Sequence, residues 1–162
     1  MEYKVQDVAR YIINYSNNQN YGISNLKLQK LLYFVQAECL AFTKEKKPCF
    51  MEEIEAWGFG PVVPCVYQEY KQYGAVNIPS VNFYYVVSDE WELIKKKYNE
   101  DIIAPEDRAI INGVVDGFKD YSASQLVQIT HNQLPWYSVY EQGQNNIITK
   151  SSIKEYFEKD GN

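Results

Sequence analysis

The most constraining feature of this sequence is a segment that is apolar around almost its whole helical circumference. It extends over residues 25–42, directly after Ser24, whose hydroxyl is suited to cap a helix N-terminus. Its apolar residues are Leu26, Leu28, Leu31, Leu32, Phe34, Val35, Ala37, Cys39, Ala41 and Phe42. A helix that is apolar on nearly all sides is normally buried in its domain, because each face needs a covering element. We therefore predict a central helix over about 25–42, against which the other helices pack.

A Gly/Pro-rich segment begins 15 positions after this helix, at Trp57-Gly58-Phe59-Gly60-Pro61. Two glycines and two prolines between 58 and 64 cannot continue a helix, and they set up a new start. Because proline is tolerated in the first helical turn, we predict that the next helix starts at Pro61. Trp57 is expected to fix the geometry of this turn and to lie near a partner surface.

The rest of the chain carries several shorter helical patterns. Apolar residues recur at helical spacing from Val5 to Ile13, Pro105 opens another helix, and Ser122 or Ser124 caps a third. In the tail, residues 152–155 match a capping box, which predicts a last helix starting at Ser152.

Two segments suggest strands, namely residues 50–58, with imperfect alternation, and residues 81–87, which are β-branched and aromatic. Ser88 is interpreted as the cap of a helix that carries Trp91, Ile94 and Tyr98. The predicted fold class is mainly α: a compact single-domain bundle of six or seven helices, with a small strand or hairpin element near 50–58 and 81–87. Residues 1–162 are predicted to form one domain, as is usual at this length.

Charge and cysteine content limit the class of protein. The chain has 16 Lys and Arg against 21 Asp and Glu, a net charge of −5, so its surface as a whole does not attract nucleic acid. The clearest basic run, Lys95-Lys96-Lys97, is interpreted as a solvated helix face. The three cysteines, Cys39, Cys49 and Cys65, fit no zinc or disulfide pattern. With neither a signal peptide nor a membrane-spanning run recognised, we expect a reduced, cytoplasmic protein.

Few residues suggest catalysis or ligand binding. The single histidine, His131, ends a predicted helix, where we expect it to satisfy terminal carbonyls or to pack beside Trp136. A catalytic or pH-switching role for His131 stays open as the alternative. The cluster of Glu52, Glu53 and Glu55 lacks a metal-binding spacing and is interpreted as a solvated acidic edge. We assign no catalytic residue, no metal and no cofactor.

Aromatic residues make up 15% of the chain, including 15 tyrosines. Tyr67 and Tyr70 lie three positions apart, hence on one side of a predicted helix. Such residues either pack in a core or form a partner surface, since Tyr and Trp are enriched at protein–protein hot spots.

Three motifs resemble the SocA-like (Panacea) antitoxin domain family of bacterial and phage toxin–antitoxin modules. They are the helix segment Lys27–Phe34, the segment Glu55–Pro64, and the segment Thr130–Trp136. The motif residues taken as structural are Leu28, Lys30, Leu31, Tyr33, Phe34, Gly60, Pro61, His131 and Trp136. The resemblance covers about residues 5–140. Residues 76–104 follow no recognised pattern, and neither does the tail 141–162, which is predicted to be helical.

The resemblance implies a non-enzymatic antitoxin that binds and neutralises a protein toxin encoded beside it, in a prophage-associated module. It names no toxin, because the family pairs one domain with many unrelated toxins. For the partner-binding surface we select Glu55, Trp57, Phe59, Tyr67 and Tyr70. The oligomeric state is not predicted.

Three other functions are considered. The first is a DNA-binding regulator, which the acidic pI and the lack of a basic recognition helix disfavour. The second is an adaptor that delivers its partner to a protease. The third is an enzyme built around His131 and the glutamate cluster, which the single histidine disfavours. A small toxic reading frame beside this gene would favour the antitoxin interpretation.

Overall fold

The computed structural model describes residues 2–159. Seven α-helices lie within this range: α1 (Val5–Asn18), α2 (Asn25–Ala41), α3 (Pro64–Tyr70), α4 (Pro105–Gly117), α5 (Ala123–His131), α6 (Leu134–Tyr137) and α7 (Lys150–Lys159). Short 3-10 turns occur at Lys71–Tyr73 and Glu100–Ile102. The strands are β1 (Ile54–Trp57), β2 (Gly60–Val62), β3 (Phe83–Val87), β4 (Leu93–Lys97) and β5 (Ile147–Ile148).

The helix α2 lies at the centre, as its composition predicts. It packs against α1, α3, α4, α5 and α7, and most of its side chains are buried. The predicted cap is confirmed, because the Ser24 hydroxyl accepts a hydrogen bond from the Lys27 amide. Phe34 on α2 stacks on Phe118 after α4, with ring centroids 4.4 Å apart. Apolar burial around α2 therefore organises the fold.

The strands form two separate antiparallel sheets. In the first sheet, β1 lies between β2 and β5, so the strand order is β2-β1-β5. In the second sheet, β3 pairs only with β4, over five residues of each strand. We call the first pair of strands the β1–β2 hairpin, which packs on α2. We call the second pair the β3–β4 hairpin, whose Tyr84 packs on Arg10 of α1.

The prediction of a mainly α bundle is wrong. Beside the helices, the described residues form two sheets, and strands occupy positions that were predicted as helix. The clearest case is β4: Ser88 caps no helix, and residues 93–97 with their lysine run are a strand instead of a solvated helix face. The pattern Trp91, Ile94, Tyr98 has helical spacing, but β3 needs a hydrogen-bonding partner, and the next segment supplies it.

Two predicted helix starts are also wrong. Pro61 lies in β2, paired with Ala56, and α3 starts at the second proline of the motif, Pro64. In the tail, α7 begins at Lys150 because the Thr149 hydroxyl, and not that of Ser152, accepts the hydrogen bond from a first-turn amide. The tail also contributes β5, and its last residues, 160–162, lie outside the described range. Among residues 2–159, none of the helices combines the length and the apolar composition of a membrane span.

Candidate functional site

The β1–β2 hairpin closes in a two-residue turn. Trp57 is the last residue of β1 and faces Gly60, so Gly58 and Phe59 form the turn itself. The other edge of β1 is covered too, because the Ala56 amide donates to the carbonyl of Asn146 next to β5, at 2.8 Å. The Trp-containing motif is therefore a strand end and a tight turn, and not the start of a helix.

The outer edge of β2 is completed by polar side chains from α2. The Lys30 ammonium donates to the Pro61 carbonyl at 2.9 Å. The Gln29 side-chain oxygen accepts from the Val63 amide at 2.9 Å, and its nitrogen donates to the Asn25 side chain. Because buried backbone groups need partners, these side chains take the place of a neighbouring strand.

Lys30 is fully buried, which is exceptional for a lysine. Burial lowers its pKa to about 7, because the charged ammonium loses its hydration. Among the described residues no carboxylate forms an ion pair with it, and the Pro61 carbonyl is the hydrogen-bond acceptor. Such a cation is costly, so its position argues for a role in holding the hairpin.

Gly60 allows this close contact between the hairpin and α2. Its φ of +100° lies in the region that side chains disfavour. A Cβ at this position would lie 2.8 Å from Cε of Lys30 and 2.8 Å from the hydroxyl of Thr130 on α5. Only glycine therefore fits between α2 and α5 here.

Three stacked rings support the turn from the other side. His131 lies against Trp136 with ring centroids 4.0 Å apart, and Trp136 lies against Tyr140 at 4.5 Å. The Trp136 indole donates to the Trp57 carbonyl at 2.8 Å, and Nε2 of His131 lies 3.1 Å from the Gly58 carbonyl. A carbonyl only accepts, so this contact places a proton on Nε2. The predicted packing of His131 beside Trp136 is confirmed.

The surroundings of His131 favour a structural role. Burial lowers its pKa, while the hydrogen bond to the Gly58 carbonyl opposes that shift. The three clustered glutamates have separate partners: Glu52 accepts from the Val5 amide, Glu53 pairs with Lys150, and Glu55 accepts from Trp57. Within residues 2–159, no three His, Cys, Asp or Glu side chains are grouped so that they could hold a metal ion.

An aromatic surface surrounds the turn. Phe59 is 67% exposed at its tip. Trp57 is half-buried and contacts Tyr67 edge-on at 5.1 Å, while its indole donates to Glu55 at 2.9 Å. We call this surface the turn face, and it consists of Glu55, Trp57, Phe59, Tyr67 and Tyr140. The fifth residue selected from the sequence, Tyr70, is only 5% exposed and is not part of it.

The motif residues on α2 have a different position. Leu28, Leu31, Tyr33 and Phe34 are buried in the core, and the Tyr33 hydroxyl donates to the Gln133 side chain at 2.8 Å. The Tyr33 hydrogen bond joins α2 to Gln133, which directly precedes the short helix that carries Trp136. The structure thus brings together all three sequence motifs, but it exposes mainly the turn.

Sequence reasoning missed several residues of the site. Tyr140 and the exposed Leu134 and Tyr137 flank Trp136, and none was selected. Gln29 and Gln36 were also missed, although both are fully buried. The signal in the sequence was a seven-residue spacing between two glutamines in an otherwise apolar helix, which places them on one face.

Comparison with known proteins identifies a family. The family model described as "Antitoxin SocA-like, Panacea domain" matches residues 28–137. The chain is also 31% identical over 141 residues to Antitoxin SocA of Caulobacter vibrioides (strain NA1000 / CB15N). That alignment covers 80% of this chain and 66% of the relative, just under two thirds of its length. No solved structure matches the chain.

Proposed function

Because this chain belongs to the SocA-like, Panacea domain family of antitoxins, we propose that it neutralises a protein toxin by direct, stoichiometric binding at the turn face. The observation that carries the proposal is Phe59. It is exposed beside Trp57 and Tyr67, and contiguous apolar surface of this kind is typical of protein interaction sites. Its turn is supported by α2 on one side and by the ring stack on the other.

The turn face has the composition of a binding hot spot. Trp and Tyr residues dominate hot spots because they supply large contact areas at a low cost in side-chain entropy. Trp57 and Tyr67 are already oriented by their mutual contact, so little ordering is needed when a partner binds. A stable complex buries about 1,600 Å² in total, so the interface extends well beyond Phe59.

The charge of the chain suits a basic toxin. A net charge of −5 attracts a cationic partner and speeds encounter at low salt. Glu55, at the edge of the turn face, provides a local carboxylate for such a partner. The mechanism requires no catalytic group, because covering the working surface of the toxin is sufficient for inhibition.

The proposal includes the setting that the family resemblance implies. The toxin is encoded beside this gene, the pair is carried by a prophage, and both proteins act in the cytoplasm. The neighbouring reading frame is therefore the toxin candidate with which the proposal is tested.

Co-expression in a bacterial host tests the binding site. The neighbouring reading frame is induced together with the wild type, with Phe59→Ser or with Val76→Ser. Val76 is a matched control, because it is 64% exposed and lies outside the turn face. We expect growth to be rescued by the wild type and by Val76→Ser, and lost with Phe59→Ser although that protein accumulates normally.

Purified proteins then test the stoichiometry. Size exclusion and calorimetry should give a one-to-one complex for the wild type, and at least about tenfold weaker binding for Phe59→Ser, the effect of losing a hot-spot side chain. Full rescue by Phe59→Ser, or rescue without a complex, would contradict the proposal.

A further inference from the structure

The outer face of the β3–β4 hairpin carries a second exposed set of large side chains. In an antiparallel pair, directly opposed residues lie on the same face. The register therefore groups three apolar residues of β3 with one apolar and two basic residues of β4. We call this the hairpin face; it consists of Phe83, Tyr85, Val87, Leu93, Lys95 and Lys97, all of them exposed.

The hairpin is attached by its opposite face. There, Tyr84 packs under the guanidinium of Arg10, 3.6 Å from the ring centroid. At its base, Asn14 on α1 exchanges two hydrogen bonds with the backbone of Val81, at 2.7 and 2.9 Å. These contacts orient the hairpin on α1, so that nothing in the described part of the chain covers the hairpin face.

The tip of the hairpin carries an exposed tryptophan in a strained conformation. Trp91 has a φ of +63°, which is unusual for a bulky side chain, and it is 89% exposed. Ser88 closes the turn by accepting hydrogen bonds from the Glu90 and Glu92 amides. Glycine would satisfy the same turn without strain, so folding does not account for tryptophan at this position.

The charges on this hairpin indicate what kind of partner it fits. Lys95 lies 4.4 Å from the Phe83 ring centroid, and among the described residues neither Lys95 nor Lys97 forms an ion pair with a carboxylate. Two unpaired cations beside a row of apolar side chains complement a surface that carries carboxylates and apolar groups.

Other occupants fit less well. The acidic residues Asp89, Glu90 and Glu92 at the tip would repel the continuous negative charge of an anionic membrane or of a nucleic-acid strand along the hairpin. A peptide can instead place its carboxylates opposite the lysines alone. At the base of the hairpin, Glu100 and Asp101 add further negative charge, although both pair with Arg108. A second copy of the chain, docked face to face with its hairpin parallel, would oppose lysines to lysines.

We propose that the hairpin face binds an extended acidic segment of a protein partner, in which one strand face carries both carboxylates and apolar side chains. Because residues i, i+2 and i+4 of a strand share one face, such a segment directs its apolar groups onto Phe83, Tyr85 and Leu93 and its carboxylates onto the lysines. This site is separate from the turn face and goes beyond the proposed toxin binding.

Labelled peptides test the proposal without any toxin. The probes are peptides that repeat Glu-Ser-Leu-Ser (the Glu–Leu peptide), Lys-Ser-Leu-Ser (the Lys–Leu peptide) and Ser-Ser-Leu-Ser (the Ser–Leu peptide), so that the compared groups share one strand face. Oligothymidylate and phosphatidylserine vesicles are tested beside them. Fluorescence anisotropy, or co-sedimentation for the vesicles, measures binding to the wild type and to Lys95→Glu/Lys97→Glu. The control Lys44→Glu/Lys71→Glu changes the net charge equally on exposed residues elsewhere.

We expect the Glu–Leu peptide to bind most tightly, and more weakly as salt is raised. Charge reversal on the hairpin should weaken it by at least about tenfold, while the control variant should bind like the wild type. The proposal is overturned if the Glu–Leu peptide does not bind, if the Lys–Leu peptide binds equally well, or if hairpin-dependent binding is found for DNA or vesicles instead.

Trp91→Gly separates binding from folding. We expect its melting temperature to be equal to or above that of the wild type, because the backbone strain is relieved, while the Glu–Leu peptide binds more weakly. A lower melting temperature with unchanged peptide binding would assign Trp91 a structural role and contradict the proposal. Either result leaves the antitoxin proposal untouched, because that is tested with the toxin and at Phe59.

Discussion

The two hairpins of this protein have the same local structure and opposite surroundings. In the β1–β2 hairpin, β5 covers one edge, and Gln29 and Lys30 of α2 satisfy the other. In the β3–β4 hairpin, both outer edges lack a neighbouring strand among the described residues, and one whole face is exposed. The first hairpin is therefore part of the core structure, whereas the second is attached to it.

This difference separates two ways of presenting a binding surface. The turn face rests on α2, which keeps a few aromatic residues in a fixed geometry. This support requires a buried lysine, Lys30. The hairpin face offers a larger apolar row, and its lysines protect an exposed sheet from pairing with other copies. Substitutions and a deletion in the two hairpins can test this contrast.

Among the single substitutions, replacing Gly60 with alanine should destabilise the protein most. The new Cβ would be strained at φ +100° and would meet Lys30 and Thr130 at 2.8 Å. We expect a loss of roughly 2–5 kcal/mol in unfolding free energy, the sum of backbone strain and overpacking. Chemical denaturation of both proteins measures this loss in unfolding free energy.

Gly74→Ala is the control for that substitution. Gly74 also has a positive φ, of +58°, but a Cβ added there would meet no other atom within 4 Å. Gly74→Ala should reduce the unfolding free energy by the backbone strain alone. The reduction for Gly60→Ala should therefore be about 1–3 kcal/mol larger. Equal losses would show that the hairpin is not packed as tightly on α2 as the structure indicates.

Replacing Lys30 with methionine should change how stability depends on pH. Lysine has a pKa near 10.4 in an unfolded chain and about 7 here, so between these values the unfolded state binds more protons. The destabilisation from burying the charge is complete below about pH 7 and is relieved as the pH rises. The stability of the wild type relative to Lys30→Met should therefore increase from pH 7 towards pH 9, by at most about 1.4 kcal/mol per pH unit.

Denaturation of both proteins at several pH values measures this difference. Because tyrosines and cysteines are common to both proteins, their titration cancels in the comparison. A stability difference that stays constant between pH 7 and pH 9 would mean that Lys30 keeps an ordinary pKa, because water reaches and hydrates its ammonium group.

Removing the β3–β4 hairpin should have the smallest effect on stability. If a short Gly/Ser linker replaces residues 83–97, the main loss is the contact of Tyr84 with Arg10, worth about 1 kcal/mol. We expect a melting temperature within a few degrees of the wild type, whereas the same replacement of residues 55–62 should prevent folding. Unfolding of the first variant would show that the hairpin belongs to the core.

Part of this architecture could be predicted from the sequence. The central position of α2 followed from its apolar circumference, and α1 and α4 followed from helical spacing and from Pro105. The pairing of the Trp57 and Trp136 motifs could not be derived from spacing, because it joins segments 79 residues apart through an indole-to-carbonyl hydrogen bond.

The errors have physical causes. An apolar helix was expected to bury apolar groups, but Gln29, Lys30 and Gln36 are also buried, since the adjacent β2 edge and the backbone at Phe50 need hydrogen-bond partners. Pro61 fits an edge strand as well as a helix start, because its missing amide costs nothing there. The helical spacing of Trp91, Ile94 and Tyr98 was overridden by the pairing requirement of β3.

Hydrogen exchange of the free protein and of its toxin complex shows directly whether the turn face binds the toxin. We predict that amides in residues 57–60 and 134–140 exchange more slowly in the one-to-one complex than in the free protein. A stable complex in which the exchange of both segments is unchanged would contradict binding at the turn face.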